Sequence, residues 1–161
     1  MTDNTHYVTD GKIAIKLGST VTTQEHTLGT RATGNNGTVW RYVQATVAVS
    51  QYDTVSFPQT WLIQPATPTT VATGGNIGVA QVAFAAGEYG WICTEADKIT
   101  VAVSATITAA IQVYIASTSG KLSTTSSSGT LAGMFVDATT SASTGVTLTT
   151  AIMRAPTYKV L

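Results

Sequence analysis

The clearest pattern in the chain, and the one that most limits its fold, is the alternation from Val39 to Val49. Val39, Arg41, Val43, Ala45, Val47 and Val49 fall on one face, and Trp40, Tyr42, Gln44, Thr46 and Ala48 on the other. Successive side chains of a strand point to opposite faces, so a period of two predicts a strand. Its Val row should lie against a core, while the second face carries amphipathic rings.

Weaker versions of the same signal recur. Ile13, Ile15 and Leu17 alternate with Lys12, Ala14 and Lys16. Further strands are expected over Ile77–Phe84, over Tyr89–Thr94, around Ile99, Val101 and Val103, over Leu131–Val136, and around Val146, Leu148 and Ile152. Ala109-Ala110 breaks the alternation between Thr106 and Ala116, but Ile107, Ile111, Val113, Tyr114 and Ile115 are β-branched or aromatic and favour strand. Turn signals separate these runs: Asp10-Gly11, Gly34-Asn35-Asn36-Gly37, Gly74-Gly75-Asn76, Ala86-Gly87-Glu88 and Glu95-Ala96-Asp97-Lys98. Pro58, Pro65 and Pro68 leave Trp61-Leu62-Ile63 as at most a short edge strand. Residues 18–38 are rich in Gly, Thr and Asn and read as a loop or arm, and Ser117–Gly129 reads as a long exposed loop. The fold class expected is all-β, a small antiparallel β-barrel or β-sandwich with an extended N-terminal arm and long Ser/Thr/Gly loops. Residues 1–30 would be the arm or a peripheral strand, and residues 31–161 a single β-rich domain.

Charge narrows the function. Only 10% of residues are charged, eight of each sign, and the net charge is zero. With no basic patch to neutralise phosphates, no direct nucleic-acid partner is expected. So few charges give little protection against self-association, which points to a homo-oligomer or another permanent assembly. No apolar stretch approaches the length of a membrane-spanning helix, and the start lacks the pattern of a signal peptide. The expectation is a soluble protein made in the cytoplasm, with no membrane partner.

Chemistry has no visible address in the sequence. The two histidines, His6 and His26, lie in polar surroundings and read as solvated. The single cysteine, Cys93, follows the apolar Tyr89-Gly90-Trp91-Ile92 and reads as a buried, inert thiol. Glu95 and Asp97 sit two apart beside Lys98, as on a solvated turn. Asp3 and Asp10 lack the closely spaced oxygen ligands of a calcium loop. Gly34–Gly37 and Gly74-Gly75 lack the Lys and helix of a phosphate cradle. No catalytic residue, cofactor or metal site is therefore expected. The candidates for an interface are aromatic: Trp40, Tyr42, Trp61, Tyr89 and Trp91.

A series of short phrases carries a resemblance. They are Leu28-Gly29-Thr30, Tyr42-Val43-Gln44-Ala45, Ile77-Gly78-Val79-Ala80-Gln81, Ala85-Ala86-Gly87-Glu88-Tyr89-Gly90-Trp91-Ile92, Tyr114-Ile115-Ala116 and Ser119-Gly120-Lys121-Leu122. In this order they resemble the small decoration (cement, head-stabilising) proteins of tailed-bacteriophage capsids. The resemblance implies a non-enzymatic virion protein on the outer capsid surface. Such a protein binds the major capsid protein lattice, bridges neighbouring subunits and often binds its own copies. The homo-oligomer expected is a trimer before a dimer, because three-fold positions are natural on an icosahedral lattice. It names no individual binding residue. The chain departs from the pattern between Asp53 and Thr73, where the three prolines fall. The alternative is a carbohydrate-binding or tail-fibre-like adhesion module of a phage particle, with exposed aromatics stacking on sugar rings.

Overall fold

The computed structural model describes residues 7–8, 15–34, 36–72, 75–104, 107, 112–124, 129–136 and 147–160. Among the described residues the chain is all-β, as expected, apart from one short helix. Two short strands, β1 (Tyr7–Val8) and β2 (Ile15–Lys16), pair antiparallel as a separate ribbon. The remaining strands belong to one connected sheet.

The expected strand at Val39 is β5 (Val39–Ala45), and it forms a hairpin with β4 (Arg31–Thr33). The turn lies where the Gly-Asn-Asn-Gly motif places it: the Gly37 amide donates to the Gly34 carbonyl, and Gly37 has φ 78°. From β5 the pairings close on themselves. β5 pairs with β9 (Tyr89–Val103), β9 with β8 (Asn76–Ala80), β8 with β6 (Thr54–Phe57), β6 with β7 (Leu62–Pro65), and β7 with β5 again. This is a closed five-stranded barrel. Closure leaves β5 through β9 without free edges inside the circuit. Its interior is filled by Val43, Ala45, Val55, Phe57, Ile63, Ala80 and Ile92, with Val49 and Phe84 joining from a bridge beyond the strand ends.

A second circuit of pairings shares β9. It runs from β9 to β11 (Leu122–Ser123), β10 (Gln112–Ile115), β12 (Gly129–Val136) and β13 (Thr147–Val160), and returns to β9. Its core is Val101, Val103, Val113, Ile115, Leu122, Met134, Val136, Ala151 and Met153. The same core continues over the outer side of the barrel through Trp40, Tyr42, Ile77, Val79, Trp91 and Cys93. Alternation along β5 and β9 thus serves two cores, one on each face.

Three local expectations are corrected. Glu95–Lys98 is not a turn: β9 runs through it for 15 residues. Against β13, Ala151 faces Ile99 and Met153 faces Ala96, so β9 carries one extra residue there. A bulge at the exposed Asp97-Lys98 absorbs the polar residues without reversing the chain. Trp61–Ile63 is not an edge: β7 is short but hydrogen-bonded to β5 on one side and β6 on the other, with Pro65 at its end where no ladder donor is needed. Ser117–Gly129 is not one exposed loop: Ser117–Ser119 are exposed, but Gly120–Ser123 are buried and contain β11. Residues 125–128 lie outside the described residues, as do 137–146, the other expected Ser/Thr loop.

Finally, residues 17–30 are docked. Leu17 is fully buried, and β3 (Thr20–Val21) pairs with Gly90 and Tyr89 of β9. The Glu25 amide donates to the Tyr42 hydroxyl at 3.1 Å and the Gly29 amide to the Tyr42 carbonyl at 2.8 Å. Of the expected arm 1–30, this part is a peripheral strand with its flanks, and residues 1–6 and 9–14 lie outside the described residues. The helix, α1 (Pro68–Ala72), begins with proline at its first position. Thr67 and Thr70 cap each other reciprocally: the Thr70 amide donates to the Thr67 hydroxyl and the Thr67 amide to the Thr70 hydroxyl.

Candidate interaction surfaces

The five aromatic candidates divide. Trp40, Tyr42 and Trp91 are each no more than 2% exposed and belong to the core outside the barrel. Glu25 and His26 of the 17–30 segment pack on Tyr42 and Trp91, so this part of the ring-bearing face of β5 and β9 is an interior face of this chain. Tyr42 stands edge-on to Trp91 at 5.2 Å and roughly parallel to Tyr89 at 6.3 Å. Burial, first of all, pushes the Tyr42 phenol above its usual range, and the Glu25 amide on its oxygen acts in the opposite sense. His26 is not a solvated loop residue: its ring is half-buried, 5.0 Å from Tyr42 and 5.3 Å from Trp91.

Tyr89 and Trp61 keep part of their surface accessible. Trp61 is held by three neighbours. Its ring stacks on Phe57 at 5.4 Å, the Arg41 guanidinium lies over it at 5.3 Å, and Gly29 passes so close that an added Cβ would sit 2.3 Å from the indole nitrogen. Arg41 itself donates to the Gly29 carbonyl at 3.0 Å. Trp61 adopts φ 61°, a left-handed conformation that costs a residue with a side chain about 1–2 kcal/mol. Its carbonyl accepts from Gln44 and its amide donates to Pro58, which fixes that conformation. No sequence signal marks Trp61 as strained.

Outside these rings, two of the large exposed apolar side chains among the described residues lie on the second circuit. Phe135 on β12 is 43% exposed and faces Ile152 across the β12–β13 ladder. Leu148, 49% exposed, lies on the same face of β13 as Ile152, four residues away. Val47, just past β5, is also exposed.

Two polar constellations escaped the sequence reading. Lys121 and Asp53 form an ion pair, each less than a tenth exposed. Asp53 precedes β6 of the barrel and Lys121 precedes β11 of the second circuit, so the pair joins the two. The Ser50 amide donates to the other Asp53 oxygen at 3.2 Å, and Gly120 lies so close that a Cβ there would meet the carboxyl carbon at 2.6 Å. Gly120 also donates to Ala66 and accepts from Thr54. The second constellation is a polar cleft of about 190 Å³ lined by Asn36, Thr38, Trp40, Gln81, Lys98, Ile99 and Thr100.

Cys93 is buried, as expected, and burial pushes its thiol up to about 12. Its S–H donates to the Glu95 carbonyl. Asp97 pairs with Arg154 across the β9–β13 ladder, on the surface. Among the described residues, no three His, Cys, Asp or Glu side chains gather to hold a metal ion, and no helix is long and apolar enough to cross a membrane. No family model, curated protein or solved structure matches the chain.

Proposed function

We propose that the chain is a structural protein of a phage particle that binds the outer surface of the assembled capsid and bridges neighbouring major capsid subunits, acting by contact and not by catalysis. The observation that carries this reading is the pair of exposed apolar side chains Phe135 and Leu148, with the half-buried Ile152 between them, on long strands of a protein with few charges. Large exposed apolar side chains grouped on one sheet face are the usual mark of a surface meant to be covered. The phrases from Leu28 to Leu122 that resemble those of capsid decoration proteins support the same reading. Repetition on a lattice turns modest contacts into firm attachment through effective concentration, and a homotrimer at a three-fold position multiplies them again; a dimer at a two-fold does so less.

Co-sedimentation with assembled phage shells, beside free capsid subunits, tests this reading. Saturable binding to shells alone is expected, together with at least a tenfold loss for Phe135→Ser. Absence of binding to a matched shell overturns the proposal. Deleting residues 1–14 tests the arm without touching Leu17. A cut at residue 30 would remove β3 and uncover Tyr42 and Trp91.

A further inference from the structure

The cleft beside Trp40 brings together three stretches of chain: the β4–β5 turn, the end of β8 and the bulged middle of β9. Its hydrogen bonds leave a defined set of groups for a ligand. The Trp40 indole N–H donates to the Thr38 hydroxyl at 2.7 Å, and that hydroxyl donates to Asn36 Oδ1 at 2.7 Å. With Oδ1 taken, the Asn36 amide presents its Nδ2 donors. Gln81 is 7% exposed, and its Nε2 donates to the Thr100 carbonyl at 2.9 Å. That bond fixes the orientation of the amide and leaves Oε1 as an acceptor. Lys98, exposed at the bulge, supplies an ammonium group, and Trp40 and Ile99 supply the apolar part of the wall.

We propose that this cleft binds one acidic monosaccharide unit of a glycan. A pyranose ring carries adjacent hydroxyls, each both donor and acceptor, and C–H groups that lie against apolar surface. Asn36 offers donors and Gln81 an acceptor to such hydroxyls, and Lys98 offers a ring carboxylate a charge-assisted hydrogen bond. The volume suits a single sugar unit, below the size of ordinary drug-sized pockets. A bare anion would use Lys98 and leave the Gln81 acceptor without a donor, so the cleft favours a hydroxylated acid over a simple carboxylate. Sugar binding and shell binding are separable: the cleft is lined by residues other than Phe135, Ile152 and Leu148, and one activity can fail without the other.

The test is a titration of the full chain with D-glucuronate, D-glucose and acetate, followed by NMR at the Trp40 indole N–H. Glucuronate should shift that resonance saturably with Kd in the millimolar range, as expected of one small ligand with few contacts. Glucose and acetate should each bind at least tenfold more weakly. Lys98→Gln should weaken glucuronate at least tenfold while the rest of the spectrum shows the fold unchanged, because Lys98 is exposed. Absence of a saturable shift, acetate equal to glucuronate, or indifference to Lys98→Gln overturns the proposal.

Discussion

The closed barrel and the second circuit share β9 but solve their closure differently. The barrel uses β5 to β8, strands of four to seven residues, and tight turns such as Ala85–Glu88 with Gly87 at φ 87°. Its interior is set by Val, Ile and Phe, whose few rotamers specify one packing. The second circuit is built from the long β13 and β9, its registers shift at several places, and Met134 and Met153 lie in its core. Flexible Met side chains fill irregular space and tolerate exchange. A buried charge pair, Lys121 with Asp53, ties the less regular circuit to the barrel. The lesson is that short strands obtain register from turns and shape-filling, whereas long bulged strands need an additional polar fixture.

The largest expected effect comes from cutting that fixture. Asp53→Ala leaves the Lys121 ammonium buried without a counter-charge and should cost about 3–5 kcal/mol in urea unfolding. Asp53→Ala with Lys121→Met should recover much of the loss. A loss under 1 kcal/mol for the single variant would mean that the two circuits hold together without the pair.

The two cores should also respond unequally to truncation and exchange. Ile92→Ala in the barrel removes a fully buried side chain among close-packed neighbours and should cost about 2–5 kcal/mol. Met134→Leu, volume-conserving in the second core, should cost less than about 1.5 kcal/mol. Equal costs would erase the proposed difference in packing.

Much of the barrel was legible from residues. Val43 and Ala45 fall on the face the alternation assigned to the core, and the Gly34–Gly37 and Ala86–Glu88 turns lie where their chemistry puts them. Sequence failed where one side chain's partner lies far along the chain. Lys121 reads as polar among Ser and Thr, and only the fold brings Asp53, 68 residues away, to cover it. Asp97-Lys98 reads as a turn because a bulge on a long strand and a reversal use the same polar residues. The aromatic face of β5 reads as a contact surface because nothing in residues 17–30 announces that Leu17 and Glu25 will cover it. The cleft was equally hidden: Asn36, Gln81 and Lys98 share no local pattern, and each becomes informative only through the bonds that orient it.

A smaller effect is expected where the 17–30 segment meets the barrel. Gly29 has φ 83°, and a Cβ there would overlap the Trp61 ring. Gly29→Ala should therefore cost about 1–3 kcal/mol and shift Trp fluorescence as Trp61 leaves Phe57 and Arg41. Lost stability without a spectral change would place the strain in the backbone alone and leave the three-sided clasp on Trp61 intact.

The smallest effect concerns Cys93, which sits on β9 between β5 and β8 with its side chain in the core that the two circuits share, and it vanishes at neutral pH. Burial holds the folded thiol at about 12, whereas the thiol of an unfolded chain ionises near its ordinary value of 9.0. Between these values the folded state keeps a proton that the unfolded state has released, so stability falls as pH rises. The loss begins near pH 9, amounts to about 1.4 kcal/mol for each further pH unit, and ends near the folded value. Tyr42, also raised by burial, adds to the decline above the ordinary phenol value of 10.0. Cys93→Ala should remove the part of the slope between pH 9 and 10, and native protein at pH 9 should resist iodoacetamide until denaturant is added. Rapid alkylation of the native thiol would mean that β9 opens to solvent at the junction, and the second circuit would then be only loosely closed on the barrel.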